Sequence, residues 1–245
     1  MASTLQLFAI DAEPPIQLRA ERLLAAVDQA ISLPASPKVA LLGPVSVLKE
    51  GGRSLQLLPA LLAAYEQLLT RLAARGVTWV QLDEPVLDLP LDSSWQEALR
   101  HAYTRLGGLD QHLMLSTGNS PSTANLALAC TLPVSGLHVQ GGEGPEALRA
   151  VADLLPKDRE LSVGVRTGNP ITLALLRDLR AARSGRLWIA AEDRPDALAA
   201  LQALRQALWR DEAIAARAFE RSIPMHRGPF PAPTHGAAAP PMHAS

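Results

Sequence analysis

The chain contains a single cysteine, Cys130, among 245 residues. An intramolecular disulfide is therefore impossible, and a secreted scaffold held by disulfides is disfavoured, so we expect a cytoplasmic protein. The sequence also has no apolar run of the roughly 18 residues that a membrane-spanning helix needs, and its N-terminus lacks the basic and apolar regions of a signal peptide. We expect neither export nor contact with a membrane.

Neither sign of charge dominates. The 23 basic and 24 acidic residues leave a formal net charge of −1, which provides no field to hold nucleic acid or an anionic membrane. The phosphate-binding patterns GxGxxG and GxxxxGK[ST] are missing, which argues against a nucleotide cofactor. What the chain does have is a hydrophobic content of 48%, enough for one core of ordinary size.

Short apolar runs alternate with longer segments rich in Ala, Leu and Arg at helical spacing. The predicted strands are residues 5–10, 38–43, 78–83, 113–117, 136–140, 161–166 and 186–191. The predicted helices are residues 16–31, 55–75, 95–106, 123–130, 145–155, 171–182 and 195–218. Repeated strand-helix units indicate parallel strands covered by helices.

The predicted strands are apolar at nearly every position, as in VALLG and RLWIAA. Both faces of such strands are buried, which favours a barrel over an open sheet, although periodicity alone does not decide between them. The predicted fold is an α/β barrel over residues 1–222. Residues 223–245 are rich in Pro, Ala and Gly, and we expect them to form a disordered tail. The irregular spacing of His226, His235 and His243 favours a tail over a metal site.

Side chains at the carboxyl ends of barrel strands point into the mouth where substrates bind. The candidate site residues are therefore the polar and turn residues at the predicted strand ends, although each of them could instead cap the following helix. They are Asp11, Glu13, Gly43, Pro44, Ser46, Asp83, Glu84, Ser116, Thr117, Asn119, His138, Gln140, Arg166, Asn169, Glu192 and Asp193.

Two adjacent carboxylates, Asp83 and Glu84, end the run VTWVQLDEP. Successive side chains of a strand point to opposite faces, so only one acid can look into the mouth. We predict that it is Asp83, where a carboxylate could accept hydrogen bonds from a ligand. A paired-acid hydrolase is disfavoured, because neighbouring residues on opposite faces do not supply two carboxylates across a gap of about 5–10 Å.

Two further candidates, His138 and Arg166, also have a purely structural interpretation. His138 shares a face with Gln140, and a lone histidine in a strand is more often a packing residue than a ligand or base. Arg166 could clamp a carboxylate of a ligand, or it could pair with Asp83 or Asp193 across the mouth. The sequence does not separate these possibilities.

Several motifs together resemble one known family. LLGPV at residues 41–45, WVQLDEP at 79–85, GLHV at 136–139 and RLWIA at 186–190 occur in the order found in cobalamin-independent methionine synthase. The resemblance covers residues 5–218 and is to the N-terminal of that family's two barrels. It implies an α/β fold, an incomplete (β/α)8 TIM barrel of the methionine synthase and uroporphyrinogen decarboxylase type. It also implies a role in methionine biosynthesis, by methyl transfer from methyltetrahydrofolate to homocysteine.

The resemblance further implies that this chain holds no catalytic residue and no metal. In the family, zinc is bound by the C-terminal barrel through a histidine, two cysteines and a glutamate. The matching places here are residues 115–118, Gln140 and the neighbourhood of Asp193, where no thiol or imidazole stands. Asp83 matches the acid of the corresponding DEP motif, which contacts substrate. The expected substrate-binding residues are Asp83, Glu84, His138, Gln140, Arg166 and Asp193.

Family members begin with barrel strands that have no counterpart before residue 5 of this sequence. We therefore expect two open sheet edges, covered in a homodimer or by a partner chain that completes the barrel, or else a poorly stable fragment. The chain would be inactive alone. Two alternatives remain open: a binding module for an amino acid or pterin, and a degenerate product without activity. A relation to the uroporphyrinogen decarboxylase group is more distant.

Overall fold

The computed structural model describes residues 7–9, 16–32, 38–118, 122–140, 144–165, 172–191, 199, 201–204 and 206. All of them fall in one compact unit, Met1–Gln206. The predicted tail at residues 223–245 lies outside the described residues, and so does most of the predicted helix at 195–218.

Six parallel strands form the main sheet, and they lie side by side in chain order. They are β3 (Val39–Leu42), β4 (Trp79–Asp83), β5 (His112–Ser116), β6 (Gly136–Gln140), β7 (Glu160–Val165) and β8 (Leu187–Ala191). Each overlaps a predicted strand, which confirms the parallel α/β prediction. The predicted strand at residues 5–10 differs, because β1 (Phe8–Ala9) pairs antiparallel with β2 (Gln17–Leu18) in a separate small sheet.

Helices connect the strands. They are α1 (Glu21–Ile31), α2 (Pro44–Glu50), α3 (Leu58–Ala73), α4 (Ser93–Leu106), α5 (Thr123–Thr131), α6 (Pro145–Leu154) and α7 (Leu173–Ala181). Side-chain caps fix where several helices begin. The Asp92 side chain accepts from the Ser94 and Trp95 amides at the start of α4, and Ser122 and Thr172 cap α5 and α7 in the same way. The predicted helix at 16–31 begins only at Glu21, since β2 occupies its first residues.

The sequence prediction did not include α2. This helix has seven residues, and it starts at Pro44 directly after Gly43. Proline suits the first position of a helix, because its missing N–H would have no helical partner there. The segment was too short to show helical periodicity, so only the Gly-Pro pair could have indicated it.

The main sheet curls strongly. The rings of Trp79 in β4 and Trp188 in β8 lie 5.3 Å apart between centroids. Four strand spacings separate β4 from β8, which in a flat sheet would place these side chains about 19 Å apart. Their contact therefore shows that the strands bend around a shared interior, as in most of a barrel. In the described part of the chain the barrel is not closed, and β3 and β8 are the end strands.

Strand residues alternate between that interior and the helical layer. Val80, Leu82, Leu115, Leu137 and Leu161 are fully buried on the helix side. By alternation, Trp79, Gln81 and Asp83 share the opposite, inner face. No helix within the described ranges is long and apolar enough to cross a bilayer.

Candidate functional site

Polar side chains stand next to one another across four neighbouring strands of the inner face. The strand register pairs Asp83 with Ser116, Ser116 with His138, and His138 with Ser162. Residues paired in this way lie on the same face of a sheet. We call these four residues the inner polar row. Ser116, His138 and Ser162 are buried, whereas Asp83 is half-buried at the carboxyl end of β4.

Asp83 is bonded to a second polar residue of its own strand. Gln81 Nε2 donates to Asp83 Oδ1 at 2.7 Å. The other end of the same amide, Oε1, accepts from Lys38 Nζ at 2.6 Å. One neutral side chain thus links a cation to an anion on the inner face. Lys38, just before β3, was not among the predicted site residues, because its position at the start of a strand gave no reason to place it near Asp83.

His138 is held neutral. Its Nδ1 lies 2.9 Å from Ser162 Oγ in the buried part of the row. Burial, and secondarily the charge of Lys38, lower the pKa of His138 to about 4. At pH 7 the ring therefore has one nitrogen that donates and one that accepts. This fits a packing role for His138 as well as a hydrogen bond to a neutral ligand group.

Gln140 ends β6 two residues beyond His138, on the same face. Its side chain is half-buried, and Oε1 is buried with no hydrogen-bond partner among the residues that the structure describes. The residue paired with it on β7 is Gly164, which has no side chain to cover the amide. An unpaired buried carbonyl oxygen costs about 1–3 kcal/mol, so this position favours a donor from a bound molecule.

Glu84 lies on the other side of the sheet from Asp83. Its carboxylate is fully buried and accepts from the amides of Val45 at 3.2 Å and Ser46 at 2.7 Å, and from the hydroxyl of Tyr103 at 3.0 Å. Burial raises the pKa of Glu84 to about 7, against the lowering effect of these hydrogen bonds. The geometry gives Glu84 a structural role and does not bring it together with the inner polar row.

The same acid fixes the turn that carries Asp83. A Cβ at Gly43 would lie 2.3 Å from the Glu84 carboxyl carbon, so only glycine allows this approach. Ser46 Oγ also accepts a hydrogen bond, at 3.1 Å, from the amide of Val86, two residues after Glu84. Asn125 Nδ2 donates to the carbonyls of Leu87 at 2.7 Å and Leu89 at 2.8 Å. Of these anchors, the sequence had marked Gly43 and Ser46 as strand-end candidates but gave no signal for Asn125.

The remaining predicted site residues divide into two groups. Thr117 is buried with Oγ1 unpartnered in the described part of the chain, and it follows Ser116 at the end of β5. The others lie outside the described residues: Asp11, Glu13, Asn119, Arg166, Asn169, Glu192 and Asp193. Their roles stay predictions.

The donors present do not suit a thiolate zinc site. The only thiol, Cys130, is buried in α5, and burial raises its pKa to about 11, which disfavours the thiolate that binds metal. His138 uses Nδ1 on Ser162. Within the described ranges, no three His, Cys, Asp or Glu side chains come together as a metal site would need.

Comparison with known proteins agrees with this architecture. A family model described as the N-terminal domain of cobalamin-independent synthase matches residues 9–181. The chain belongs to this family. Its relatives include two enzymes named 5-methyltetrahydropteroyltriglutamate–homocysteine methyltransferase. The Vibrio cholerae enzyme is 38% identical and the Photobacterium profundum enzyme 40% identical, each in an alignment of 182 positions that covers 69% of this chain.

The chain spans about a quarter of the length of these relatives, 24% in both cases. A B12-independent methionine synthase from Shewanella sp. W3-18-1, solved with selenomethionine, superposes with a TM-score of 0.59. That match covers 82% of this chain and 70% of the other, at 14% identity. It shows a shared fold and confirms the predicted barrel type.

Proposed function

We propose that this chain is a non-catalytic barrel module of the cobalamin-independent methionine synthase type, acting in methyl transfer from methyltetrahydrofolate to homocysteine only with a companion that carries the zinc. The observation that supports this most directly is the family match over residues 9–181. The inner polar row then gives the module a surface for a ligand, with Asp83 at its open end.

The division of labour follows from the chemistry of the thiol. Homocysteine is a weak nucleophile until its thiol loses a proton, and a bound zinc ion supplies that activation in this family. A single buried cysteine with a raised pKa does not provide such a site here. The same buried thiol fits a reducing compartment, and we propose a cytoplasmic location.

The open barrel supports a partner. Lys38 and Ala40 are exposed at the β3 end of the sheet, although barrel interiors are normally packed with side chains. We propose that a companion chain, or a second copy of this chain, covers this end. Sedimentation of the purified chain measures this directly. A stable monomer that gains no mass when the companion is added argues against the proposal.

The decisive experiment is a methyl-transfer assay in two arms. The chain alone, with added zinc, is expected to form no methionine. The chain mixed with the remaining part of the Vibrio cholerae relative, expressed as a separate polypeptide, is expected to restore activity above that of the remaining part alone. Activity of the chain alone that a chelator abolishes would refute the division of labour, and failure to restore any activity counts against the module.

A second candidate function is a small-molecule binding module. The Oε1 of Gln140, which has no partner among the described residues, favours it, because a buried acceptor on the inner face suits a ligand with N–H donors, such as an amino acid or a pterin. Calorimetry with homocysteine, methionine and methyltetrahydrofolate tests it. Heat of binding that Gln140→Leu reduces supports the module, and no heat with any of the three ligands rejects it.

A further inference from the structure

The two end strands of the main sheet are poorly covered in the described part of the chain. Ala40 of β3 is exposed, and Leu187 and Ile189 of β8 are only half-buried. Leu161 and Val163, the partners of these two residues on β7, are fully buried. Apolar strand residues stay uncovered where a sheet lacks a neighbouring strand, so these positions border a gap between β3 and β8.

The gap is about two strands wide. The rings of Trp79 on β4 and Trp188 on β8 meet with their centroids 5.3 Å apart, so these two strands lie on opposite sides of the interior. Opposite strands of an eight-strand barrel are four positions apart, and β4 and β8 are four positions apart in the sheet order. The described sheet has six strands, which leaves two places open. At a spacing of about 4.8 Å per strand, β3 and β8 are about 14 Å apart across the gap.

The free edge of β3 offers backbone groups for hydrogen bonding. The Gly43 amide donates to the Asp83 carbonyl at 2.6 Å, which turns the N–H and C=O of every second residue, counted back from Gly43, toward β4. The N–H and C=O of Ala40 therefore point the other way, where the described sheet has no further strand. At the next such position, the Leu42 carbonyl accepts from the Tyr65 hydroxyl. The edge groups of Ala40 are of the kind that an added strand binds.

A positive charge without an ionic partner marks the β3 side of the gap. Lys38 is exposed on the same face as Ala40, and its Nζ donates to the neutral Gln81 Oε1 at 2.6 Å. Within the described ranges Lys38 forms no ion pair. An ammonium has three protons to donate, so it can also bind a carboxylate. On the β8 side, Arg186 already pairs with Glu160 at 3.0 Å. An acidic side chain is therefore favoured beside β3.

We propose that the free edge of β3 binds an extended segment of another polypeptide as a parallel strand, with an acidic residue beside Lys38 and a large aliphatic residue beside Ala40. The aliphatic side chain fills the space that the small Ala40 leaves in a barrel interior, which branched side chains normally pack. A second copy of this chain does not fit, because it brings a sheet of six strands to a gap that holds two. The inference rests on the companion chain of the proposed function and specifies how that chain attaches.

Two synthetic fluorescein-labelled peptides, GSEVLVTGS and GSKVLVTGS, test the charge. They differ only in the residue placed beside Lys38, and both put Leu beside Ala40. Fluorescence anisotropy with the full chain measures their affinities. We expect the Glu peptide to bind about fivefold more tightly than the Lys peptide, and the order to reverse for Lys38→Glu. Equal binding of the two peptides, or binding of neither, would overturn the proposal.

Ala40→Pro tests the backbone hydrogen bonds. The substitution removes the N–H at the free edge, and because that N–H points away from β4, the sheet should remain folded, which urea unfolding checks. We expect both peptides to bind about tenfold more weakly, whereas Ala40→Ser, the matched control, keeps the N–H and should bind as the native chain does. Unchanged affinity in Ala40→Pro would refute strand pairing.

Sedimentation of the chain without peptide tests the alternative occupant. We expect no dimer that depends on this edge. A dimer that Ala40→Pro abolishes would assign the edge to a second copy and overturn the proposal. None of these measurements involves methyl transfer, so a failure here is distinguishable from a failure of the proposed function in the methyl-transfer assay.

Discussion

Replacing Glu84 with Gln should change how the stability of this protein depends on pH. The Glu84 carboxyl is fully buried, and its pKa rises from 4.5 in the unfolded chain to about 7 in the fold. Between these values the folded state keeps a proton that the unfolded state has lost. Stability from this group is therefore complete below pH 4.5 and is lost as pH rises to 7, by about 3 kcal/mol at 1.36 kcal/mol for each pKa unit.

His138 opposes this trend. Its pKa falls from 6.5 to about 4 on folding, so its contribution is present above pH 6.5 and is lost as pH falls toward 4. The magnitude is again about 3 kcal/mol, with the opposite sign. Between pH 4.5 and 6.5 the two residues nearly cancel in the native protein. Substituting either residue should therefore reveal how the other one makes the free energy of unfolding depend on pH.

The assay is urea unfolding, followed by circular dichroism at pH 5.0, 5.75 and 6.5. Relative to the native protein, Glu84→Gln should gain about 2 kcal/mol of unfolding free energy across this range, and His138→Asn should lose a similar amount. At pH 5 the Glu84→Gln variant should be less stable than the native protein by about 1 kcal/mol, because the NH2 group of the new side chain faces the backbone N–H donors of α2.

Glu66→Gln is the control, because the Glu66 carboxylate pairs with Arg105 at 2.6 Å and its pKa is lowered. The stability of that pair is present above pH 4.5 and changes little across the range tested. A difference between Glu84→Gln and the native protein that does not vary with pH would show that Glu84 is ionised in the fold at pH 5, and the burial argument would fail.

Further substitutions test the anchors of the turn that carries Asp83. Gly43→Ala should lower the free energy of unfolding by about 1–3 kcal/mol, because its Cβ would lie 2.3 Å from the Glu84 carboxyl carbon. Gly108→Ala is the control and should be nearly neutral, because the nearest atom to its Cβ would lie at 3.6 Å. Urea unfolding compares the two variants, and equal losses of stability would contradict the packing around Gly43. Asn125→Ala leaves the carbonyls of Leu87 and Leu89 without their donor and should cost about 1–3 kcal/mol by the same measurement. Thr131→Ala, which removes a single bond at the end of the same helix, is its control and should cost less.

The sheet was predictable because its signal is local. Largely apolar runs marked β3 to β8, and the two-residue alternation of a strand was enough to assign Asp83 and Glu84 to opposite faces. What alternation could not show is which partners each acid finds. The donors to Glu84 lie 38 and 39 residues back on α2, and 19 residues ahead on α4. Contacts over such distances leave no periodic pattern.

Lys38 is a second example of a long-range contact that the sequence pattern could not predict. It is 43 residues from Gln81, and its place at the start of β3 indicated only a strand boundary. Only the parallel register of β3 with β4, which sets Ala40 beside Gln81, brings a long side chain from position 38 onto the inner face. Polar residues that act through such cross-strand reach are the ones that sequence reasoning misses.

Two adjacent acids at one strand end thus have separable roles. The amide of Glu84 donates to the Ser116 carbonyl at 2.9 Å, and the amide of Gly43 donates to the Asp83 carbonyl at 2.6 Å, so β3, β4 and β5 are tied together at this point. The Glu84 side chain locks α2 to the same point from the helix side. The backbone of Asp83 is therefore held by contacts with β3, β5 and α2, while its carboxylate lies on the inner face. Under the proposed binding function, loss of Glu84 should alter ligand binding only by moving that part of the sheet, whereas loss of the Asp83 charge should alter ligand binding with the sheet unchanged.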